Sequence, residues 1–262
     1  MLARYLFLAT GSAVHVYSMA TSTLVRTLRM EFGQHIIRYK LCPIKQERLY
    51  VFTANGSVRT WEWTTGKQIL QWDMNRTTIS VDLSLDASNN SANPTFYCLC
   101  ERKDGKREIR TFSMRDEKSS ESVILETIIR VSQIRVASQN QTIIAYGGRH
   151  LLLGITSAFN HGEAERAQYT WRETILPVTI TCLDIHKSAR REVQGQKDTE
   201  QLDLVVGEAG GSILIYQDAL GFFLTHEGNR DGKNSSAARR LHWHRGPVNA
   251  LRWSRDGKLC TG

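Results

Sequence analysis

The stretch that decides the fold reads Leu241-His242-Trp243-His244-Arg245-Gly246-Pro247-Val248-Asn249-Ala250-Leu251-Arg252-Trp253-Ser254-Arg255-Asp256-Gly257-Lys258-Leu259-Cys260-Thr261-Gly262. Its apolar residues predict the end of one strand, a second strand over 248–254 with alternating faces, and a third strand from Leu259. Gly246 and Pro247 favour a tight corner, because Pro presets φ and Gly tolerates positive φ. The Asp256-Gly257 pair is typical of a hairpin turn. The stretch therefore predicts antiparallel β-structure.

The same stretch resembles the beginning of a WD repeat. That family opens its repeats with a His before a short corner, an apolar strand and then Ser-x-Asp-Gly-Lys, and His244, Ser254 and 256–258 occupy those places. The resemblance implies a β-propeller, in which four-stranded sheets, or blades, bury their apolar faces against their neighbours. Since one copy could also be an ordinary hairpin, the rest of the chain must supply the repeat.

Strand-like runs recur along the whole chain and group into successive sets, most of them with four strands. Two of the intervals between equivalent strands match the roughly 40–45 residues of a WD repeat, and two longer intervals contain insertions. We therefore predict an all-β fold, a WD40 β-propeller that is incomplete in this chain, with about four full blades and two partial ones. The residues expected to pack between blades, mostly where the family has Trp, are Tyr17, Trp61, Phe112, Ile155, Tyr216 and His244.

The grouping also predicts how the chain relates to a whole propeller. The first set contains three strands, and the last set stops within its second strand. Unpaired blade edges are prone to association. We therefore expect residues 1–262 to form the N-terminal part of a WD40 β-propeller, with the remainder of that propeller beyond residue 262.

Composition narrows the functional classes. The chain has 262 residues with a formal net charge of +8, which is compatible with RNA and with acidic protein partners. Its five Cys are an odd number within strand-like runs, as expected for reduced thiols in an intracellular protein. No apolar run approaches the roughly 20 residues that span a bilayer, so we predict no membrane partner.

The longer connections predict one elaborated end. Because strands alternate in direction, the connections between first and second and between third and fourth strands share one end of each blade. The insertions in these connections are 86–94, 114–122, 159–168, 187–201 and 218–238. Basic residues near two of these connections are candidates for RNA or partner contacts: Lys187, Arg190, Arg191, Arg239, Arg240 and Arg245.

No enzyme motif is present in the sequence. Phosphate-binding, nucleophile-elbow and zinc-protease patterns are all missing. Cys98 and Cys100 are interpreted as alternating across a strand, and they have no second Cys pair to complete a zinc site. His242 and His244 likewise have no visible third ligand. We therefore predict no catalytic residue, no metal and no cofactor.

Two segments resemble one subfamily of WD-repeat proteins. Residues 5–28 resemble its first blade, and residues 211–216 followed by Leu241-His242-Trp243-His244 resemble its later blades. The subfamily is the WD-repeat subunit of the UTP-A (t-UTP) subcomplex of the small-subunit processome, a nucleolar tandem-propeller family associated with U3 snoRNA. The resemblance implies a second propeller beyond residue 262.

This resemblance implies a non-catalytic scaffold in the nucleus, at the nucleolus. Its role would be early 18S pre-rRNA processing at the 5′ external transcribed spacer, linked to transcription by RNA polymerase I. The implied partners are other WD-repeat subunits of UTP-A, the pre-rRNA 5′ external transcribed spacer and the U3 snoRNP.

Two alternatives remain at this stage. A WD40 substrate receptor of a cullin ubiquitin ligase usually has Arg two residues after the Trp-Asp pair, whereas Trp61-Glu62 is followed by Trp63-Thr64. A propeller enzyme would need polar residues that converge in a central channel, which a sequence does not reveal.

Overall fold

The computed structural model describes residues 4–42, 45–73, 78–86, 95–115, 118–137, 142–156, 169–189, 200–219, 222, 238–254 and 257–262. The strands are β1 (Tyr5–Thr10), β2 (Ala13–Ser18), β3 (Thr23–Arg29), β4 (Ile36–Leu41), β5 (Arg48–Thr53), β6 (Ser57–Glu62), β7 (Lys67–Asp73), β8 (Thr78–Asp86), β9 (Thr95–Arg102), β10 (Arg107–Arg115), β11 (Lys118–Thr127), β12 (Gln133–Ala137), β13 (Thr142–Gly147), β14 (His150–Thr156), β15 (Tyr169–Ile175), β16 (Ile180–Ala189), β17 (Glu200–Glu208), β18 (Ser212–Tyr216), β19 (Ala238–His242), β20 (Leu251–Trp253) and β21 (Leu259–Thr261).

Antiparallel pairing joins neighbouring strands into successive sheets. Four sheets have four strands each, in the orders β4-β5-β6-β7, β8-β9-β10-β11, β12-β13-β14-β15 and β16-β17-β18-β19. Strands β1-β2-β3 form a three-stranded sheet, and β20-β21 form a two-stranded one. The predicted all-β class with repeated four-stranded antiparallel sheets is confirmed.

The chain divides into two compact units. Unit 1 comprises residues 1–129 and 133–135, and unit 2 comprises residues 130–132 and 136–262. Each unit has cores built from the facing surfaces of consecutive sheets. In unit 1 the Trp63 ring makes edge contacts with Tyr5 and Phe7, with ring centroids 4.9 and 5.3 Å apart. The Phe96 ring contacts Phe52 in the same way at 5.4 Å.

Unit 2 repeats this arrangement with mainly aliphatic side chains. Leu204 and Leu214 share one buried cluster with Tyr146. The opposite face of the β16–β19 sheet contributes Val205 and Ile213, which form a second cluster with Val248 and Leu251. Burial of both faces of a sheet is expected to provide most of its stabilisation, because apolar burial contributes about 25 cal/mol per Å².

Each sheet from β1–β3 to β16–β19 has one end closed by a tight turn, which we call its tight-turn end. The turns are 11–12, 54–56, 103–106, 148–149 and 209–211. Gly211 has φ of +82°, and a Cβ there would lie 2.1 Å from the carbonyl oxygen of His244. Only glycine accommodates both this backbone conformation and this approach.

Two expectations about strand boundaries are wrong. The strand predicted over 248–254 covers only Leu251–Trp253, because the backbone N–H groups of Asn249 and Ala250 both donate to the Gly262 carbonyl, at 2.8 and 2.9 Å. The insertion predicted at 114–122 is a strand extension, since β10 reaches Arg115 and pairs there with Lys118 of β11. The predicted insertions at 86–94 and 159–168 fall almost entirely outside the described residues.

Candidate interaction surface

Two of the aromatic residues predicted to pack between blades share a register. Trp61 pairs with Leu49 and Tyr216 pairs with Leu204, each at the fourth pair counted from the tight turn. Tyr17, like Trp61, lies at a β-bulge in its sheet. Tyr216 is 5% exposed, and burial raises the pKa of its hydroxyl to about 12. Trp61 is half-buried and packs on the core of unit 1.

The expected equivalence does not extend to Phe112 and Ile155. Phe112 is buried at 3% exposure, but it lies two residues beyond the bulge at Arg110. In β14 the fifth pair from the tight turn, which Tyr17 occupies in its own sheet, belongs to Gly154. A Cβ on Gly154 would lie 2.8 Å from the ring of Trp171, its partner on β15. The bulky side chain therefore comes from the adjacent strand, and Ile155 packs at the edge of the core.

His244 lies in a corner that is fixed on two sides. Its Nε2 is 3.0 Å from Thr261 Oγ1 on β21. Its backbone N–H donates to the Gly211 carbonyl at 3.4 Å, and Val248 beyond it is fully buried. The corner at 243–248 is thus attached to the tight turn of the β16–β19 sheet. Only a glycine at 211 allows this close backbone contact.

The basic candidates do not form one group. Arg239 and Arg240 lie within β19, paired with Ile215 and Leu214. Arg245 follows the other end of that strand, beside the tight turn, and is therefore not on the end where the insertions were expected. Arg190 and Arg191 lie outside the described residues, as does the side chain of Lys187 at the end of β16.

Two aspartates that the sequence reasoning missed hold neighbouring strands together. Asp82 on β8 accepts a hydrogen bond from the backbone N–H of Ile134 at 2.8 Å, and its carboxylate is 2.6 Å from Arg38 and 3.3 Å from Arg135. Asp184 on β16 is the counterpart in unit 2. The signal was present in the sequence, because each is a carboxylate between apolar residues in the middle of a predicted strand.

The same roles recur around Asp184. Its carboxylate accepts a hydrogen bond from the backbone N–H of Trp253 at 2.8 Å and lies 3.0 Å from the Arg252 guanidinium. Both aspartates thus join an N–H group and an arginine of a following strand. Such charge-assisted bonds fix the position of one strand against the next.

The two cysteines of β9 share a face, which corrects the expected alternation. Side chains two residues apart on a strand point the same way, and the Sγ atoms of Cys98 and Cys100 are 3.4 Å apart within a buried core. The hydrogen bond with Cys100, together with burial, raises the pKa of the Cys98 thiol. Both cysteines are free thiols.

Exposed large apolar side chains recur at the tight-turn ends of the sheets. In unit 1 they are Phe32 after β3, Ile79 at the start of β8 and Ile128 after β11, at 107, 63 and 80% exposure. In unit 2 they are Ile175 and Trp243, at 55 and 69% exposure. Other exposed apolar side chains, among them Met19 and Leu24, lie at the opposite end of their sheet. Exposed apolar groups are typical of binding surfaces where several adjoin, whereas single ones are not.

The described residues contain no group of three or more His, Cys, Asp or Glu that could hold a metal ion. Within the same residues, no helix is long and apolar enough to cross a bilayer. The described surface presents exposed apolar side chains, arginines and hydrogen-bonding backbone corners.

Comparison with known proteins identifies the fold. No family model matches the chain, and no curated protein matches it. Among solved structures the chain is similar to BBS1N in complex with ARL6DN, soaked with lead, with a TM-score of 0.61 and 14% identity over 98% of this chain and 71% of that one. The mercury-soaked form of the same complex matches with a TM-score of 0.61 and 15% identity. At this level of identity the likeness establishes the fold alone, which is that of a β-propeller.

Proposed function

We propose that residues 1–262 form part of a WD40-type β-propeller, with about four full blades and two partial ones. The faces of the first two sheets support this proposal. Leu49 and Val51 on β5 are fully buried against the first sheet. Their counterparts Leu6 and Leu8 on β1 are 48 and 47% exposed. A face with the same register and the same side-chain character is suited to another blade.

The function that we propose is that of a non-catalytic scaffold subunit of the UTP-A subcomplex in the small-subunit processome. The observation that carries it is the string Leu241-His242-Trp243-His244, the segment most similar to that subfamily. The string forms the end of β19 and a corner in which His244 is bonded and Trp243 is 69% exposed. A fixed corner with an exposed Trp is suited to holding a partner, because Trp is enriched at the energetic centres of interfaces.

As such a subunit the protein resides in the nucleolus and organises early 18S pre-rRNA processing in connection with RNA polymerase I transcription. Its partners are other WD-repeat subunits of UTP-A, together with the 5′ external transcribed spacer and the U3 snoRNP. Arg239, Arg240 and Arg245 are exposed and remain candidates for RNA contact. Their contribution would weaken with rising salt, as phosphate contacts do.

Affinity purification of the tagged protein from its own cells, followed by mass spectrometry and RNA sequencing, tests the function. We expect UTP-A subunits, 5′ external transcribed spacer RNA and U3 snoRNA to be enriched over an unrelated propeller that carries the same tag. Enrichment of a cullin adaptor without these components would overturn the proposal in favour of the ligase receptor. Recovery of neither group would also reject it.

A further inference from the structure

In unit 2, three corners and two tight turns are bonded to each other in sequence at the tight-turn ends of the sheets. We call residues 130–132, 147–149, 175–179, 208–211 and 243–248 the corner row. Ser132 N–H donates to the Tyr146 carbonyl at 2.8 Å, beside the first turn. Ile180 N–H then donates to the Gly148 carbonyl at 2.7 Å, and Ala209 N–H donates to the Thr179 carbonyl at 2.9 Å.

The last step of the row is the packing of Gly211 on the His244 carbonyl. These backbone contacts join the corner row into one continuous strip. Its shape is set by the sheets, whose faces are buried. A preformed surface loses little conformational entropy when it binds, which favours affinity.

The strip exposes two large apolar anchors. Ile175 is 55% exposed and Trp243 is 69% exposed. The almost completely buried Leu176 holds the backbone beside Ile175, and the hydrogen bond from His244 N–H to the Gly211 carbonyl holds it beside Trp243. Trp is also among the residues that contribute most when an interface forms.

The charge of the strip has one sign. Arg130, Arg149 and Arg245 are all exposed, and the Arg149 side chain is positioned by a 2.7 Å bond from Nε to the Leu176 carbonyl. Glu208 is the one carboxylate among the residues of the corner row, and it is 1% exposed. The nearest exposed carboxylate on β15, that of Glu173, is engaged by His150 Nδ1 at 2.7 Å.

From these observations we propose that the corner row is a docking surface for an acidic protein segment that carries apolar anchors. Such a segment places its carboxylates against Arg130, Arg149 and Arg245 and its apolar side chains against Ile175 and Trp243. Arginine and Trp together, with aliphatic groups beside them, have the composition of the centre of a protein–protein interface.

A protein segment suits the strip better than single-stranded RNA does. RNA surfaces of this kind present several aromatic faces on which successive bases stack. The corner row presents one aromatic side chain, and its second anchor is an aliphatic isoleucine that offers no stacking surface. The inference rests on the proposed scaffold role, for which it specifies the chemistry of one partner.

Selection of random 15-residue peptides displayed on phage against the immobilised chain tests the inference. We expect the enriched peptides to have a net negative charge and at least one large apolar residue. Trp243→Ala and Arg245→Glu should each weaken the binding of a labelled enriched peptide at least about tenfold, measured by fluorescence anisotropy near 0.15 M salt. Unchanged melting temperatures show that the variants are folded.

Arg29→Glu is the matched control, because Arg29 is an exposed arginine on β3 of unit 1, outside the corner row, and we expect it to leave peptide binding unchanged. No enrichment, enrichment of neutral or basic peptides, or equal binding by the Arg245→Glu variant would each overturn the proposal. So would binding of oligouridine that depends on Arg245 in the absence of peptide binding. The selection uses this chain alone, so its failure leaves the purification result unaffected, and failure of the purification leaves the docking surface intact.

Discussion

Asp82 and Asp184 occupy the same position in two different sheets but differ in their surroundings. Asp82 pairs with Leu99, and Asp184 pairs with Val205. Leu99 and Val205 each belong to the third cross-strand pair counted from the tight turn of their sheet. The Asp82 side chain is 3% exposed, whereas that of Asp184 is 15% exposed. Asp82 has two arginine partners, and the one arginine beside Asp184, Arg252, is itself 64% exposed.

The comparison separates two parts of a carboxylate's contribution. The hydrogen bond to a backbone N–H is the same in both sheets, at 2.8 Å. The ion pairs differ, because water screens an exposed pair and screens a buried one much less. The cost of removing each carboxylate should therefore follow burial instead of the number of contacts.

Replacing Asp82 should have the largest effect. Asp82→Ala leaves the guanidinium groups of Arg38 and Arg135 and the N–H of Ile134 without their buried acceptor. Removal of one partner from a buried ion pair typically destabilises a protein by about 3–5 kcal/mol. Urea unfolding of the intact chain, followed by tryptophan fluorescence, measures the change. A loss no greater than that of Asp184→Ala would show that burial does not distinguish the two positions.

Replacing Asp184 should have an intermediate effect. Asp184→Ala removes the acceptor of the Trp253 N–H, and we expect a loss of about 1–2 kcal/mol in the same urea experiment. The matched variant Arg252→Ala removes only the exposed ion pair and should cost about 0–1 kcal/mol. If Arg252→Ala cost as much as Asp184→Ala, the ion pair would be the dominant interaction and the comparison above would fail.

Glu208 extends the comparison to a buried carboxylate whose Oε1 has no hydrogen-bond partner among the described residues. Burial raises the pKa of this carboxyl, and Arg240, 3.5 Å away, offsets only part of the rise. Because the pKa is raised in the folded state, the contribution of Glu208 to the free energy of unfolding is fully present below the unfolded pKa of about 4.3. It is lost as the pH rises through the folded pKa.

Glu208→Gln should remove this loss of stability at rising pH. It is the smallest effect that we expect. The melting temperature of the variant relative to the parent chain should rise between pH 4 and pH 7. Thermal unfolding at a series of pH values measures it. A constant difference across this range would contradict the assignment, since a group that does not titrate differently on unfolding cannot change the slope.

Much of the fold could be predicted from local sequence. Alternating apolar runs and glycine-containing turns located the strands and their grouping, because both signals depend on only a few neighbouring residues. The surface was harder to predict. Arg245 was grouped with the elaborated end, since the sequence does not show that the corner after β19 lies against the tight turn at 209–211.

Contacts between distant residues account for the other differences. The bond from Thr261 to His244 and the approach of Gly211 to the same corner depend on how strands are placed beside each other. The exposure of Trp243 follows from this placement. A tryptophan between two apolar strands would ordinarily be assigned to a core.

The exchange between Gly154 and Trp171 has a consequence for how such repeats are detected. A repeat pattern expects a bulky residue at one position of the third strand of each sheet. Here that position holds Gly154, and the indole of Trp171 on the neighbouring strand occupies the space. The filled volume is preserved, although the residue type at that position is not. Degenerate repeats should therefore be compared by the volume that a cross-strand pair of side chains fills together. Mutations at 154 and 171 should be tolerated only when they compensate each other in volume.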